Sequence, residues 1–97
     1  MNDVRFVVVC TFGAGSSLML KMNIEGVLKS INATNATVEV SDMGSAKGKQ
    51  NVTAYLCSTV LQPNLQAQIP DVKVIGIKNF YDKKELLEAV KPFISEQ

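Results

Sequence analysis

The stretch Val4-Arg5-Phe6-Val7-Val8-Val9-Cys10-Thr11-Phe12-Gly13-Ala14-Gly15-Ser16-Ser17 decides how the rest of the chain reads. Apart from Arg5, its first six residues are β-branched or aromatic. A strand covered on one face alternates apolar with polar residues, whereas a strand covered on both faces is apolar almost throughout. Val4 to Val9 therefore reads as a central strand. After the glycines and serines, Leu20, Ile24, Val27, Leu28 and Ile31 recur at the spacing of one helix face. Lys21, Glu25 and Lys29 fall elsewhere on that helix. It is expected from Ser17 to about Ile31, with Ser16 or Ser17 capping its first turn.

The pattern repeats downstream. Thr37 to Ser41 reads as a second strand, Val52 to Cys57 as a third and Val72 to Ile77 as a fourth. The Gly/Ser/Lys-rich stretch from Asp42 to Gln50 is too polar for an assignment. A weak helical segment interrupted by Pro63 separates the third and fourth strands. Asp82-Lys83-Lys84-Glu85 opens a last helix in the manner of a capping box, with Leu86, Leu87, Val90, Phe93 and Ile94 on its apolar face and Pro92 kinking or ending it. Strands alternating with helices imply right-handed βαβ units. The expected fold is α/β: a four-stranded parallel sheet in flavodoxin-like order 2-1-3-4 with helices on both faces. Residues 1–97 form one domain in this reading.

Composition narrows the chemistry. The 97 residues are 46% hydrophobic and 20% charged, and ten Lys+Arg against nine Asp+Glu leave a net charge of +1. A nucleic-acid-binding domain would show a basic excess, and none is visible, so no nucleic-acid partner is expected. With no histidine in the chain, Ser-His-Asp and Cys-His nucleophiles, an H-E-x-x-H zinc site and a phosphohistidine carrier are all excluded within it. Neither a metal nor a cofactor is expected. Two cysteines are too few for a disulfide framework. The apolar run Phe6 to Val9 is too short for a signal peptide or membrane span. The Asn-x-Thr triplets at Asn32, Asn35 and Asn51 read as chance matches, and the chain as a cytoplasmic protein without direct membrane insertion.

In such sheets ligands bind beyond the carboxyl ends of the strands. The first strand runs into Cys10-Thr11-Phe12-Gly13-Ala14-Gly15-Ser16-Ser17. Glycines let a backbone turn tightly and aim consecutive N–H groups inward, and a helix amino terminus adds free N–H groups and positive potential. Together they suit phosphate, and the same field favours a thiolate at Cys10.

Several phosphate-loop readings compete. A Walker A loop requires a lysine that is missing after Gly15. A dinucleotide fingerprint matches at Gly13 and Gly15 but meets Leu18 at its third position; Asp42 could stand in for the ribose-binding acid, yet the chain is too short for the second half of such a fold. The topology also resembles low-molecular-weight cysteine phosphatases. That family places an arginine six positions after its nucleophile, where this chain has Ser16, and no Lys or Arg lies between Cys10 and Lys21. Asp82, a conceivable leaving-group acid, is explained by its capping role.

The loop Cys10-Thr-Phe-Gly13-Ala-Gly15-Ser16-Ser17 resembles the Cys-x-x-Gly-x-Gly-Ser-Ser loop of IIB components in the bacterial phosphoenolpyruvate-dependent sugar phosphotransferase system. Within that system it looks most like the ascorbate branch, grouped with the galactitol type. The likeness extends to Lys21-Met22, to Ser58-Thr59 after the third strand and to Val74-Ile-Gly-Ile-Lys-Asn79. It implies that Cys10 accepts a phosphoryl group from a phosphohistidine on a IIA partner and passes it to a sugar held by a IIC membrane transporter. Thr11, Phe12, Gly13, Ala14, Gly15, Ser16 and Ser17 would hold the phosphate. The missing arginine suits a carrier, which must preserve phosphocysteine for transfer. Phe12 departs from the small or polar residue expected there.

Other residues have plainer readings. Cys57 is expected in the core, with a redox pairing to Cys10 unsupported by any C-x-x-C motif. Ser58 and Thr59 read as turn residues near the site, Met19 and Met22 as core or an adaptable interface, and Lys47, Lys49, Lys83 and Lys84 as solvated charges.

Overall fold

The computed structural model describes residues 4–10, 15–33, 35–46, 48 and 51–94, and of Cys10, Gly15, Ser16, Ser17 and Met43 it describes the backbone alone. The elements run β1 (Val4–Cys10), α1 (Gly15–Ser30), β2 (Ala36–Asp42), α2 (Met43–Ala46), β3 (Ala54–Ser58), α3 (Gln62–Gln68), β4 (Lys73–Ile77) and α4 (Lys83–Ile94). The strands form one parallel sheet in the order β2-β1-β3-β4, as expected.

The apolar run in β1 follows from its central place. Phe6 and Val8 face α1 and α4, packing with Leu20, Ile24, Val27, Leu28, Leu86, Val90 and Ile94. Val7 and Val9 face the opposite way, into a smaller cluster with Ala46, Tyr55, Cys57, Leu65, Ile69 and Val74 beside α2 and α3. All four of these β1 side chains are buried, so each half of the strand's alternation has its own core. Phe6 also meets Phe93 edge-to-face, with ring centroids 5.9 Å apart.

Local rules explain the element ends. At the end of α1, the Ala33 N–H bonds the Leu28 carbonyl at 2.9 Å and the Asn32 N–H bonds the Lys29 carbonyl at 3.1 Å. This is a Schellman cap, with Asn32 at φ 58° in the left-handed position more often held by glycine. The unassigned stretch after β2 opens with a short helix, because Asp42 Oδ1 accepts the Ser45 N–H at 2.7 Å and caps it.

Three expectations are corrected. Helix α1 begins at Gly15, so Ser16 and Ser17 lie inside its first turn and neither is the cap. Pro63 sits in the first turn of α3, where its missing N–H costs nothing, and so it starts the helix instead of interrupting it. The third strand begins at Ala54, because Thr53 is engaged by Arg5, donating to its carbonyl at 2.8 Å and accepting its N–H at 3.0 Å. Asp82 caps α4 by accepting the Lys84 and Glu85 N–H groups at 3.0 and 3.3 Å. The Glu85 carboxylate accepts the Lys78 and Asn79 N–H groups at 2.7 and 3.0 Å, tying α4 to the exit of β4. Pro92 lies within α4, which continues to Ile94.

Candidate functional site at the carboxyl edge of the sheet

The chain leaves β1 toward β2 on one side, then crosses back to β3 on the other. That reversal opens a crevice at the carboxyl ends of β1 and β3. Cys10 is the last residue of β1, and α1 starts at Gly15. Of the expected phosphate-holding residues, Thr11, Phe12, Gly13 and Ala14 lie outside the described residues, whereas Gly15, Ser16 and Ser17 form the start of α1.

The helix is well placed to act on an anion there. It spans 16 residues and has no acidic side chain in its first turn, so nothing of its own offsets the positive end of the dipole. Buried Leu20, Ile24, Val27 and Leu28 fix it against the sheet. Asn23 Nδ2 donates to the Phe80 carbonyl at 2.7 Å, which ties the same helix to the loop after β4.

The neighbouring strand ends complete the rim. Ser58 ends β3, and its Oγ accepts the Leu61 N–H at 3.3 Å, so it is a turn residue. Gly76 of β4 passes so close to this turn that a Cβ there would lie 3.1 Å from Thr59 Cα and 3.2 Å from Gln62 Cβ. The exposed large apolar side chains among the described residues are Leu18, Met19, Met22, Val60 and Tyr81. Leu18 and Met19 stand at the start of α1, Met22 one turn further along, Val60 after β3 and Tyr81 after β4. Met19 and Met22 therefore belong to the surface and not to the core.

Cys57 behaves differently. Its side chain is buried in the smaller core cluster with Sγ 3.9 Å from the Ile75 carbonyl, and burial pushes its thiol up to about 11. A thiol so held is protonated at neutral pH, which fits packing and not redox chemistry.

Asp42, weighed in the sequence only as a stand-in for a ribose-binding acid, also lies at this edge. It ends β2 as the register partner of Cys10. The Ser45 N–H, then the Ser45 side chain, hold its carboxyl below the usual carboxylate range. Its position beside Cys10 is set by the register between the strands.

Surface grooves formed by the described residues lie elsewhere. One of about 870 Å³ runs between α1 and the start of β2, touching Met22, Glu25, Lys29 and Thr37. Another of about 400 Å³ is bounded by Ile31, Leu87, Lys91 and Ile94. Both sit toward the end of α1, away from Cys10. Among the described residues no cluster of His, Cys, Asp or Glu could hold a metal ion, and no helix is long and apolar enough to cross a membrane.

Comparison with known proteins adds three findings. A family model described as the lactose/cellobiose-specific IIB subunit of the PTS system matches residues 5–92. The ascorbate-specific PTS system EIIB component of Mycoplasma pneumoniae is 27% identical over 94 residues, 92% of this chain and 93% of that protein. The lactose-specific IIB domain of the phosphoenolpyruvate:carbohydrate phosphotransferase system from Streptococcus pneumoniae has the same fold, with a TM-score of 0.71 at 10% identity over 93% of this chain and 96% of that one.

Proposed function

The chain belongs to the IIB subunit family of the phosphotransferase system, and from that premise we propose that Cys10 is its phosphoryl-carrying residue. The observation that carries this reading is the position of Cys10 at the end of the central strand, with α1 starting next along the chain at Gly15 and no acidic side chain in its first turn. IIB domains work with IIA and IIC partners, so the donor is a IIA phosphohistidine and the acceptor a sugar held by a IIC transporter. The protein works at the cytoplasmic side of that transporter.

In the first step the Cys10 thiolate attacks phosphorus in line. The S–P bond forms as the P–N bond of the donor breaks, and the electron pair goes to the imidazole nitrogen, which takes up a proton. In the second step a sugar hydroxyl attacks the same phosphorus, loses its proton as the O–P bond forms, and returns the electron pair of the S–P bond to sulfur. Backbone N–H groups from Phe12 to Ser17 spread the charge of the equatorial oxygens, and the hydroxyls of Ser16 and Ser17 add hydrogen bonds. On this reading Thr11 belongs to the same phosphate-holding set.

The finer assignment is to the ascorbate type. It is supported by the match to the ascorbate-specific component, which covers nearly the full length of both chains. Transfer to ascorbate in vesicles containing an ascorbate-type IIC, and not in vesicles containing a lactose-type one, is the outcome expected of this branch.

Incubation with phosphoenolpyruvate, the general phosphotransferase proteins and a cognate IIA is expected to add one phosphoryl group, located by mass spectrometry on Cys10. A Cys10→Ala protein that accepts phosphate as well as the wild type would overturn the reading. So would steady Cys10-dependent turnover of an aryl phosphate, which would make the protein a hydrolase.

A further inference from the structure

We propose that Asp42 is a positioning residue that sets the transfer poise of Cys10 by holding a fixed negative charge beside it. The inference rests on the reading of Cys10 as the carrier. Strands β1 and β2 pair in parallel, and Cys10 and Asp42 are the last partners in their register. Neighbouring strands lie about 5 Å apart, and a cysteine side chain is short. The backbones of Cys10 and Asp42 therefore lie well within one Debye length of each other, roughly 8–10 Å in physiological salt.

The carboxylate is anchored. Asp42 Oδ1 accepts the Ser45 N–H at 2.7 Å, so α2 fixes the side chain at this corner of the sheet. Helix α2 itself contributes no titratable group. Among the described residues, Lys21 of α1 is paired with Glu25 at 3.0 Å, and Glu39 of β2 is paired with Arg5 at 2.7 Å. Cys57 of β3 is buried, and Lys78 follows β4. Asp42 is thus the acidic group closest to Cys10 in register.

A fixed negative charge disfavours whichever neighbour carries more negative charge. A thiol beside it gives up its proton less readily, which restrains the unloaded cysteine. A phosphorylated cysteine bears close to two negative charges against one on the thiolate, so the loaded state is disfavoured relative to the unloaded one. The carboxylate therefore pushes the phosphoryl group onward, from sulfur to the acceptor hydroxyl.

Asp42→Asn and Asp42→Ser keep an oxygen for the Ser45 N–H and remove the charge, whereas Asp42→Glu keeps the charge. The readout is the pH dependence of iodoacetamide alkylation on the full chain, followed at the Cys10 peptide by mass spectrometry so that Cys57 is not counted. At about 10 mM salt, the neutral variants are expected to alkylate about two- to fivefold faster below the thiol pKa, as a single charge across a few ångströms of wet surface gives. The difference should shrink at about 1 M salt, and Asp42→Glu should track the wild type. Superimposed low-salt profiles overturn the proposal, as does a difference that salt leaves intact. The phosphoryl equilibrium with a IIA donor should move toward phosphocysteine by a similar factor in Asp42→Asn, and an unmoved equilibrium also overturns it. If the wild type accepts no phosphate at all, the carrier reading fails, while the alkylation profiles still decide the effect of the charge.

Discussion

Gln66 stands in for a fifth strand beside Val74: its Oε1 accepts the Val74 N–H at 3.0 Å while its Nε2 donates to the Val72 carbonyl at 2.9 Å. One helical turn earlier, Gln62 Nε2 donates to the Val74 carbonyl at 3.1 Å. β4 is an outer strand of the sheet, and an open edge is a template for pairing with another chain. Two glutamines of α3 occupy that template. Gln66→Ala is expected to lower unfolding free energy by about 1–3 kcal/mol, since it leaves half-buried backbone groups without partners. Urea denaturation measures this, and light scattering should show increased self-association.

Tyr55 joins the smaller core to α2 through its hydroxyl, which donates to the Ala46 carbonyl at 2.7 Å in a buried setting. Tyr55→Phe keeps the ring and removes the donor. A loss of about 1–2 kcal/mol is expected from chemical denaturation, because the carbonyl stays behind without this partner.

Gly26 lies on the solvent side of α1, and a Cβ added there meets nothing within 4 Å. Glycine in an exposed helix interior is about 0.5–1 kcal/mol less favourable than alanine. Gly26→Ala should therefore raise the thermal midpoint by a few degrees and leave phosphoryl transfer unchanged.

The Cys57 thiol sets an alkaline limit. Burial raises its folded pKa to about 11 from the ordinary thiol value of 9.0, so between those values the native state holds a proton that the unfolded chain has released. Stability is full below pH 9.0 and falls as pH rises toward about 11, by about 1.4 kcal/mol per unit at the steepest. Cys57→Ala should flatten that decline in urea midpoints compared at pH 8 and pH 10.5, on the order of 2 kcal/mol over the window, whatever its cost at neutral pH.

The apolar rim should matter to partners more than to the fold. Met19 and Val60 are exposed, and Val60 is 85% so. Met19→Glu and Val60→Glu should leave the denaturation midpoint within about 0.5 kcal/mol of wild type. Their KM for the IIA donor should rise about five- to thirtyfold, as loss of an interface anchor does. Unchanged donor kinetics in both variants would place docking elsewhere.

The architecture was legible where burial imposes a period. Val4 to Val9 announced a strand covered twice, and Leu20, Ile24, Val27 and Leu28 announced the buried face of α1, because two cores on opposite sides of one sheet leave that imprint. The phase of α1 was less legible: serines favour caps, but the helix starts two residues before Ser17. Helix α2 has only four residues, too few for any period, and depends on one cap from Asp42. Glu85 looked like half of a capping box, yet its partners are Lys78 and Asn79, which only the return of β4 to α4 supplies. At the site, Cys10 was visible from its local context, whereas Asp42 became its neighbour through a register between strands that no local pattern encodes.

Gly76 sits where β4 passes the turn after β3, with Thr59 Cα and Gln62 Cβ as its nearest prospective neighbours. Neither is the far end of a flexible side chain, so a single methyl group there could not be absorbed by a rotamer change. The turn itself would have to lift by a few tenths of an ångström and carry Val60 with it. A residue that touches no phosphate thus works as a shim, setting by its own thinness how high one lip of the crevice stands.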